Sequence, residues 1–321
     1  MMKTKNVIKT SLFILLLLLV FPLSCGGKKV EEDVATLGFK LRRGFNAERA
    51  FRDLVRQVEF GPRVPGTEPH RKTVEYIKSQ LELLGWQVKE QRFTERLGGQ
   101  DVELINIIAR QKGFDPKARR VILAAHYDTR PRAERDPDPR KRDNPIPGAN
   151  DGASGVAALL EIGRMFATDP PPIEVEMVFF DAEDYGPYID RMLLGSSYYA
   201  ASLTEQDLEV IEFGVLLDMI CDRDLSIPPE AYSVEAAPDI WAWALEVHDE
   251  LGFGFMPRSG RVRVLDDHVP LIRRGVKMID LIDFSYPWWH TTQDTPDKCS
   301  AESLREVGLV AANMVYGAKV R

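Results

Sequence analysis

The chain has 321 residues, 44% of them hydrophobic and 28% charged, and a formal net charge of −7. That composition is globular and allows one sizeable core. The acidic balance excludes the basic footprint that a nucleic-acid partner needs.

The first residues read as a leader. MMKTKNVIKT carries three lysines, SLFILLLLLVFPL is apolar but short for a membrane span, and LSCGG sets Cys25 among small residues. The pattern resembles a bacterial lipoprotein signal, with Cys25 as the lipidated first residue of the mature chain; cleavage without lipid is the alternative. Either outcome exports the protein, as a periplasmic, membrane-anchored or secreted form, and membrane contact is expected only through a lipid on Cys25. Residues 1–25 are therefore assigned to the leader, 26–40 to a tether and 41–321 to one folded domain. Cys221 and Cys299 remain in the mature chain. They either pair in an oxidising compartment or persist as separate buried thiols.

FNAERAFRDLVRQVEF has apolar residues at helical spacing, and HRKTVEYIKSQLELLGW repeats that pattern up to Gly85. QVKEQRFTE and VELINIIARQ read as two strands joined by LGGQD. RRVILAAHYD is an apolar strand with a polar end. Thr129 to Asn150 follows as a long loop, a length usually tied to function or disorder. Its stretch RPRAERDPDPRKRD interleaves both charge signs and reads as a solvated surface.

DGASGVAALLEIGRMFA is a helix, PIEVEMVFFD a buried strand, LLGSSYYAASL a short helix and VIEFGVLLDMI a strand ending in Asp218. APDIWAWALEVHDELG and DDHVPLIRRG are helical, VKMIDLIDF is a strand, and SAESLREVGLVAANMVYG closes the chain as a helix. Ser300 and Ser303 are both candidate N-caps for it. Near-continuous apolar strands alternating with helices imply an α/β fold: a mostly parallel mixed sheet with helices on both faces. Ligands bind such sheets at the carboxyl ends of the strands.

Those ends carry His126 and Asp128, Asp151, Glu183 and Asp184, Asp218, Asp266, Asp267 and His268, and His290. Two of the five histidines, His70 and His248, lie on predicted helices and read as surface residues. Capping is a rival explanation for Asp151 and Asp267, but it does not explain why several strands all end in acids or histidines. Crowded carboxylates repel unless a cation neutralises them, and a carboxylate/imidazole set without cysteine suits zinc. GASG lacks the spacing of a nucleophile elbow around Ser154, and no HExxH, GxGxxG or GxxxxGK motif is present.

HYD, GANDGASGV, FFDAEDYG, LLGS, LLDM, DDHVPLIRRGV and WHTTQDT occur in the order found in the zinc exopeptidase superfamily called metallopeptidase family 28, which the chain resembles from about Phe45 onward. Two branches of that family differ in what they imply. The dizinc aminopeptidases imply His126, Asp151, Asp184, Asp218 and His290 as ligands, with Glu183 as general base. The glutaminyl cyclases imply one zinc on Asp151, Asp184 and His290. In that branch Glu183 moves a proton, Asp266 holds Glu183, and Asp218 receives the substrate amine. DDHVPLIRRGV, Trp289 directly before His290, the form of FFDAEDYG and the long DPDP-containing loop resemble the bacterial cyclases of the animal type. The resemblance thus implies N-termini of peptides or proteins as substrates, with Trp289 walling the pocket. The cyclases also carry a Trp in the interval that here reads YGPYIDRMLLGS; either Tyr188 takes its place or the pocket differs. A histidine of the vertebrate enzymes is Asp280 here. Asp181 has no assigned role beyond support of its turn.

Overall fold

The computed structural model describes residues 38–318. The expected leader, with Cys25, and most of the tether lie outside the described residues. The tether ends earlier than expected, because Phe39 packs against the core with its ring 5.7 Å from that of Trp243.

Two amphipathic helices come first, α1 (Ala47–Glu59) and α2 (Glu68–Leu83). β1 (Gln87–Leu97) and β2 (Gln100–Arg110) form a hairpin through Gly98 and Gly99. Both glycines have positive φ (58° and 85°), as a two-residue hairpin turn requires. β3 (Arg120–His126), α3 (Ala153–Thr168), β4 (Glu174–Phe180), α4 (Leu194–Ser202), α5 (Glu205–Val210) and β5 (Ile211–Asp218) follow. Then come α6 (Ala231–Ala236), α7 (Pro238–Leu251), α8 (His268–Arg273), β6 (Met278–Ile282) and α9 (Ala301–Tyr316). The six-residue helices α5 and α6 are additions to the sequence reading, too short for a helical period to emerge. α9 starts at the cap Ser300, whose side chain accepts from the amides of Glu302 and Ser303.

The six strands are ordered β1-β2-β4-β3-β5-β6. β1, β2 and β4 pair antiparallel, whereas β4, β3, β5 and β6 run parallel. The mixed, mostly parallel sheet expected from the apolar runs is the one found. β3 and β6 are buried along their whole length, and alternate residues face opposite cores. Val121, Leu123 and Ala125 pack with α1, α3, α7 and α9, while Ile122 and Ala124 pack with α4 and α8. The edge strand β1 exposes Lys89, which suits an unpaired border.

Cys221, just past β5, is disulfide-bonded to Cys299, just before α9. Of the two outcomes left open for these cysteines, pairing is the one observed. His70 and His248 are not surface residues: they are 2% and 3% exposed. His70 occupies the apolar stripe of α2 with Val74, Ile77 and Leu81. His248 accepts a hydrogen bond from the amide of Met256 at Nε2. Among the described residues no helix is long and apolar enough to cross a membrane.

Candidate active site

The parallel strands β3, β4 and β5 all discharge at one edge of the sheet, which brings His126, the Asp181–Asp184 turn and Asp218 together. Adjacent residues on a strand point to opposite faces, so Glu183 and Asp184 can share a cleft only where the strand has ended. Asp128 makes that turn: its two carboxylate oxygens accept from the amides of Glu183 (3.0 Å) and Asp184 (3.2 Å). Ala182 enters the turn with φ 51°, in the left-handed region. Met219, after Asp218, and His290 share that region, at φ 47° and 56°. Three corners of the site are thus held in a conformation unfavourable to side-chain-bearing residues.

Asp151 precedes α3. Capping is not its role, because Gly152 occupies the N-cap position. A Cβ on Gly152 would lie 2.4 Å from the Asp128 carbonyl, and its φ of 98° also demands glycine. Asp294 fixes this loop from behind, accepting from the amides of Asn150 (2.8 Å) and Asp151 (3.1 Å) and from the Tyr286 hydroxyl (2.8 Å). Burial and the charge of Asp151 push the Asp294 carboxyl up to about 7. Asp267 does sit at the N-cap of α8 but makes no side-chain cap hydrogen bond. Ser154 is structural: its hydroxyl donates to the Asn150 carbonyl and accepts from the amide of Ile220.

Two triads share Asp151, and within each the ligand atoms lie within 4.8 Å of one another. In the first, His290 Nε2 is 3.2 Å from Asp184 Oδ2 and 3.7 Å from Asp151 Oδ2. Both carboxylate oxygens are buried without a hydrogen-bond partner. The other ring nitrogen of His290 is anchored to Glu134 Oε1 at 2.8 Å, and Arg130 ties Glu134 (2.7 Å) to Asp184. Burial opposes charge on His290, but Asp184 and Glu134 outweigh it and raise its pKa to about 9. Burial would raise Glu134, yet His290 and Arg130 pull it down to about 2. In the second triad, His126 Nε2 is 3.0 Å from Asp218 and 3.4 Å from Asp151. Its Nδ1 lies 3.5 Å from Asp128 and makes no hydrogen bond.

Five carboxyl groups, those of Asp151, Glu183, Asp184, Asp218 and Asp266, line one cavity of ≈ 250 Å³. Burial and the neighbouring Asp184 raise the Glu183 pKa well above the ordinary carboxyl value, with Asp266 and Asp267 adding to the effect. Burial, followed by Asp266, carries Asp218 to about 7 against the opposing pull of His126. Such crowding calls for a cation. Asp151, Asp184 and His290 fit zinc: two orphaned carboxylate oxygens and an imidazole whose far nitrogen is held by an outer carboxylate.

Trp289 and Phe284 wall the same cavity, their rings 4.8 Å apart at 60°. Tyr188 does not line it. That side chain is 73% exposed and faces a separate groove with Arg96 and Arg191, while Ile189 and Met192 of its segment border the cavity. Asp181 does more than support its turn, accepting from the amide of Ile105 (2.7 Å) and pairing with His70 (2.9 Å). The sequence reading left Glu134, Arg130 and Asp294 without roles. Asp294 stood in the quoted WHTTQDT, whereas Glu134 and Arg130 sit in a charged loop with no period to single them out.

Comparison with known proteins gives the arrangement a family. The family model described as Peptidase family M28 matches residues 106–315. The glutaminyl cyclase of Bacteroides thetaiotaomicron, solved with N-acetylhistamine, is 35% identical with a TM-score of 0.79, covering 85% of this chain and 98% of that one. A leucine aminopeptidase precursor from the same organism is 34% identical with a TM-score of 0.79, covering 85% and 97%. Aminopeptidase YwaD of Bacillus subtilis is 28% identical over 207 residues, 62% of this chain but only 41% of its own length. The solved relatives thus divide between cyclases and aminopeptidases at nearly equal identity. What they share with this sheet, this strand-end cluster and this run of motifs is the M28 zinc exopeptidase family, and the chain belongs to it.

Proposed function

We propose that the protein is a glutaminyl-peptide cyclotransferase, converting an N-terminal glutamine to pyroglutamate with release of ammonia. The observation that carries this reading is the inequality of the two triads. Of the two triads, Asp151–Asp184–His290 is the one with a hydrogen-bonded outer anchor, which a ligating histidine almost always keeps, here Glu134 on Nδ1. In the other triad Nδ1 of His126 has Asp128 only at 3.5 Å, without a hydrogen bond, and Nε2 pairs with Asp218 at 3.0 Å. That difference supports one zinc, with Asp218 free to receive a substrate amine.

Zinc held by Asp151, Asp184 and His290 would supply Lewis acidity toward the side-chain amide oxygen. Asp218 accepts hydrogen bonds from the α-amine and aims it at its own side-chain amide carbon. As the new C–N bond forms, Glu183 takes the amine proton and passes it to the departing nitrogen, which leaves as ammonia. Burial and the acids around Glu183 raise its proton affinity, and a zinc on the neighbouring ligands would lower it, so the two opposing effects would set its readiness for this transfer. The flat face of Trp289 suits a planar amide and excludes water from the slot.

A second reading has its own support, since His126, Asp151 and Asp218 also lie close enough to hold an ion. It makes the chain a dizinc aminopeptidase with Glu183 as base for a water. Glutaminyl and leucyl fluorogenic peptides, offered to one sample whose zinc is counted, separate the two readings. Pyroglutamate with one zinc per chain is the expected result. Freed leucine with two zincs overturns it.

Export, with Cys25 either lipidated or simply processed, belongs to the same proposal. The Cys221–Cys299 disulfide supports an oxidising compartment.

A further inference from the structure

The long loop after β3 interleaves acids with arginines, and in the fold its acids are consumed one by one. Glu134 is held by Arg130 and His290, and Asp136 by the amide and hydroxyl of Thr292. Asp138 pairs with Arg140, and Asp143 with Arg132. Arg135 and Arg142 are left exposed with no carboxylate partner among the described residues. Both face a cleft of ≈ 760 Å³. This cleft shares Met192, Trp289 and His290 with the catalytic cavity, so the two are contiguous at the Trp289 ring.

Arg135 is fixed at that junction: its guanidinium lies 4.4 Å over the Trp289 ring, and its amide donates to the His290 carbonyl at 3.2 Å. Arg142 is steadied by its Nε, which donates to the Asp136 carbonyl at 2.9 Å. The shared wall gives a chain whose first residue occupies the catalytic cavity a way out past Trp289 into this cleft. There such a chain meets two uncompensated guanidinium groups on an otherwise acidic protein.

We propose that Arg135 and Arg142 form a specificity subsite for a carboxylate on the second or third residue of the peptide, making acidic N-terminal sequences the preferred substrates. The inference rests on the peptide-substrate reading above, but not on which bond is made. A side-chain carboxylate and the terminal carboxylate of a short peptide offer the same chemistry.

The test measures calorimetric binding and pyroglutamate formation on the zinc-supplemented protein. The substrates are C-terminally amidated Gln-Ala-Ala, Gln-Glu-Ala, Gln-Ala-Glu and Gln-Lys-Ala, together with Gln-Ala-Ala as its free acid. A glutamate at the second or third position should bind up to about fivefold tighter than alanine, the upper end of the range for exposed ion pairs, and lysine should bind more weakly. The preference should shrink toward one in about 0.5 M salt. It should also vanish in Arg135→Gln/Arg142→Gln, while Lys112→Gln, remote from this cleft, retains it. A gain confined to the free acid assigns the subsite to chain ends and overturns the side-chain preference. Equal binding of all peptides, or binding of none, overturns the proposal. Binding with the expected order but no pyroglutamate keeps the subsite and rejects the cyclase reading instead.

Discussion

The two triads around Asp151 use the same residue types and comparable distances, yet they are built differently. His290 reaches its partners with one nitrogen while Glu134 grips the other, and the carboxylate oxygens it faces have no other partner. His126 spends its inward nitrogen on Asp218, and its outer one has no hydrogen bond. A metal centre is recognised less by its first ring of ligands than by what holds that ring in place. By that measure the His290 triad is an organised centre and the His126 triad is closer to an ion pair.

The largest effect should come from the group that both readings share. Glu183→Gln should lower turnover about 10²- to 10⁴-fold while zinc content stays at the wild-type level. Retained turnover in a folded, zinc-loaded variant would remove Glu183 from the mechanism. Next, Glu134→Ala should weaken zinc binding about 10- to 100-fold in a chelator competition, because His290 loses its anchor. His126→Ala should leave the zinc count at one per chain. A fall from two to one would erase the inequality between the triads and favour the aminopeptidase.

A smaller effect concerns the buried Glu230–His268 pair. Glu230 accepts from the amides of Tyr232 and Ser233 and pairs with His268 at 3.0 Å. Burial would raise its pKa, but His268 and those amides win and hold it at about 2, below its ordinary 4.5. A carboxyl depressed in the folded state stabilises above the unfolded value and loses that contribution as pH falls through the folded one. The wild-type thermal midpoint should therefore drop between about pH 4.5 and 2 by more than that of Glu230→Gln. Parallel curves would show that Glu230 contributes nothing there. The smallest effect lies away from both triads: Ser300→Ala should cost about 1 kcal/mol in denaturant unfolding, with turnover unaltered.

Much of this was legible because the parallel strands are buried on both faces and so read as near-continuous apolar runs whose polar ends stand out. VILAAH, VEMVFF and VLLD located the site edge without coordinates. Glu134 was not legible, since its significance comes from His290, 156 residues away, and the loop that carries it has no repeating pattern. Asp294 acts through two backbone amides, which leave no trace in side-chain identity. His70 could have been found: it falls in register with Val74, Ile77 and Leu81, and a polar residue on an apolar stripe asks for a buried partner, here Asp181. Tyr188 misled because an aromatic residue in the right interval says nothing about which way a loop turns.

The left-handed corners at Ala182, Met219 and His290 set activity against robustness. Glycine adopts that conformation without strain, so Ala182→Gly relieves a local cost in the folded state even as it loosens the chain before Glu183. Selection for thermal endurance alone would tolerate or favour that change, whereas selection for turnover would resist it. An unfavourable backbone angle kept beside the buried Glu183 carboxylate marks where this chain gives up stability for placement.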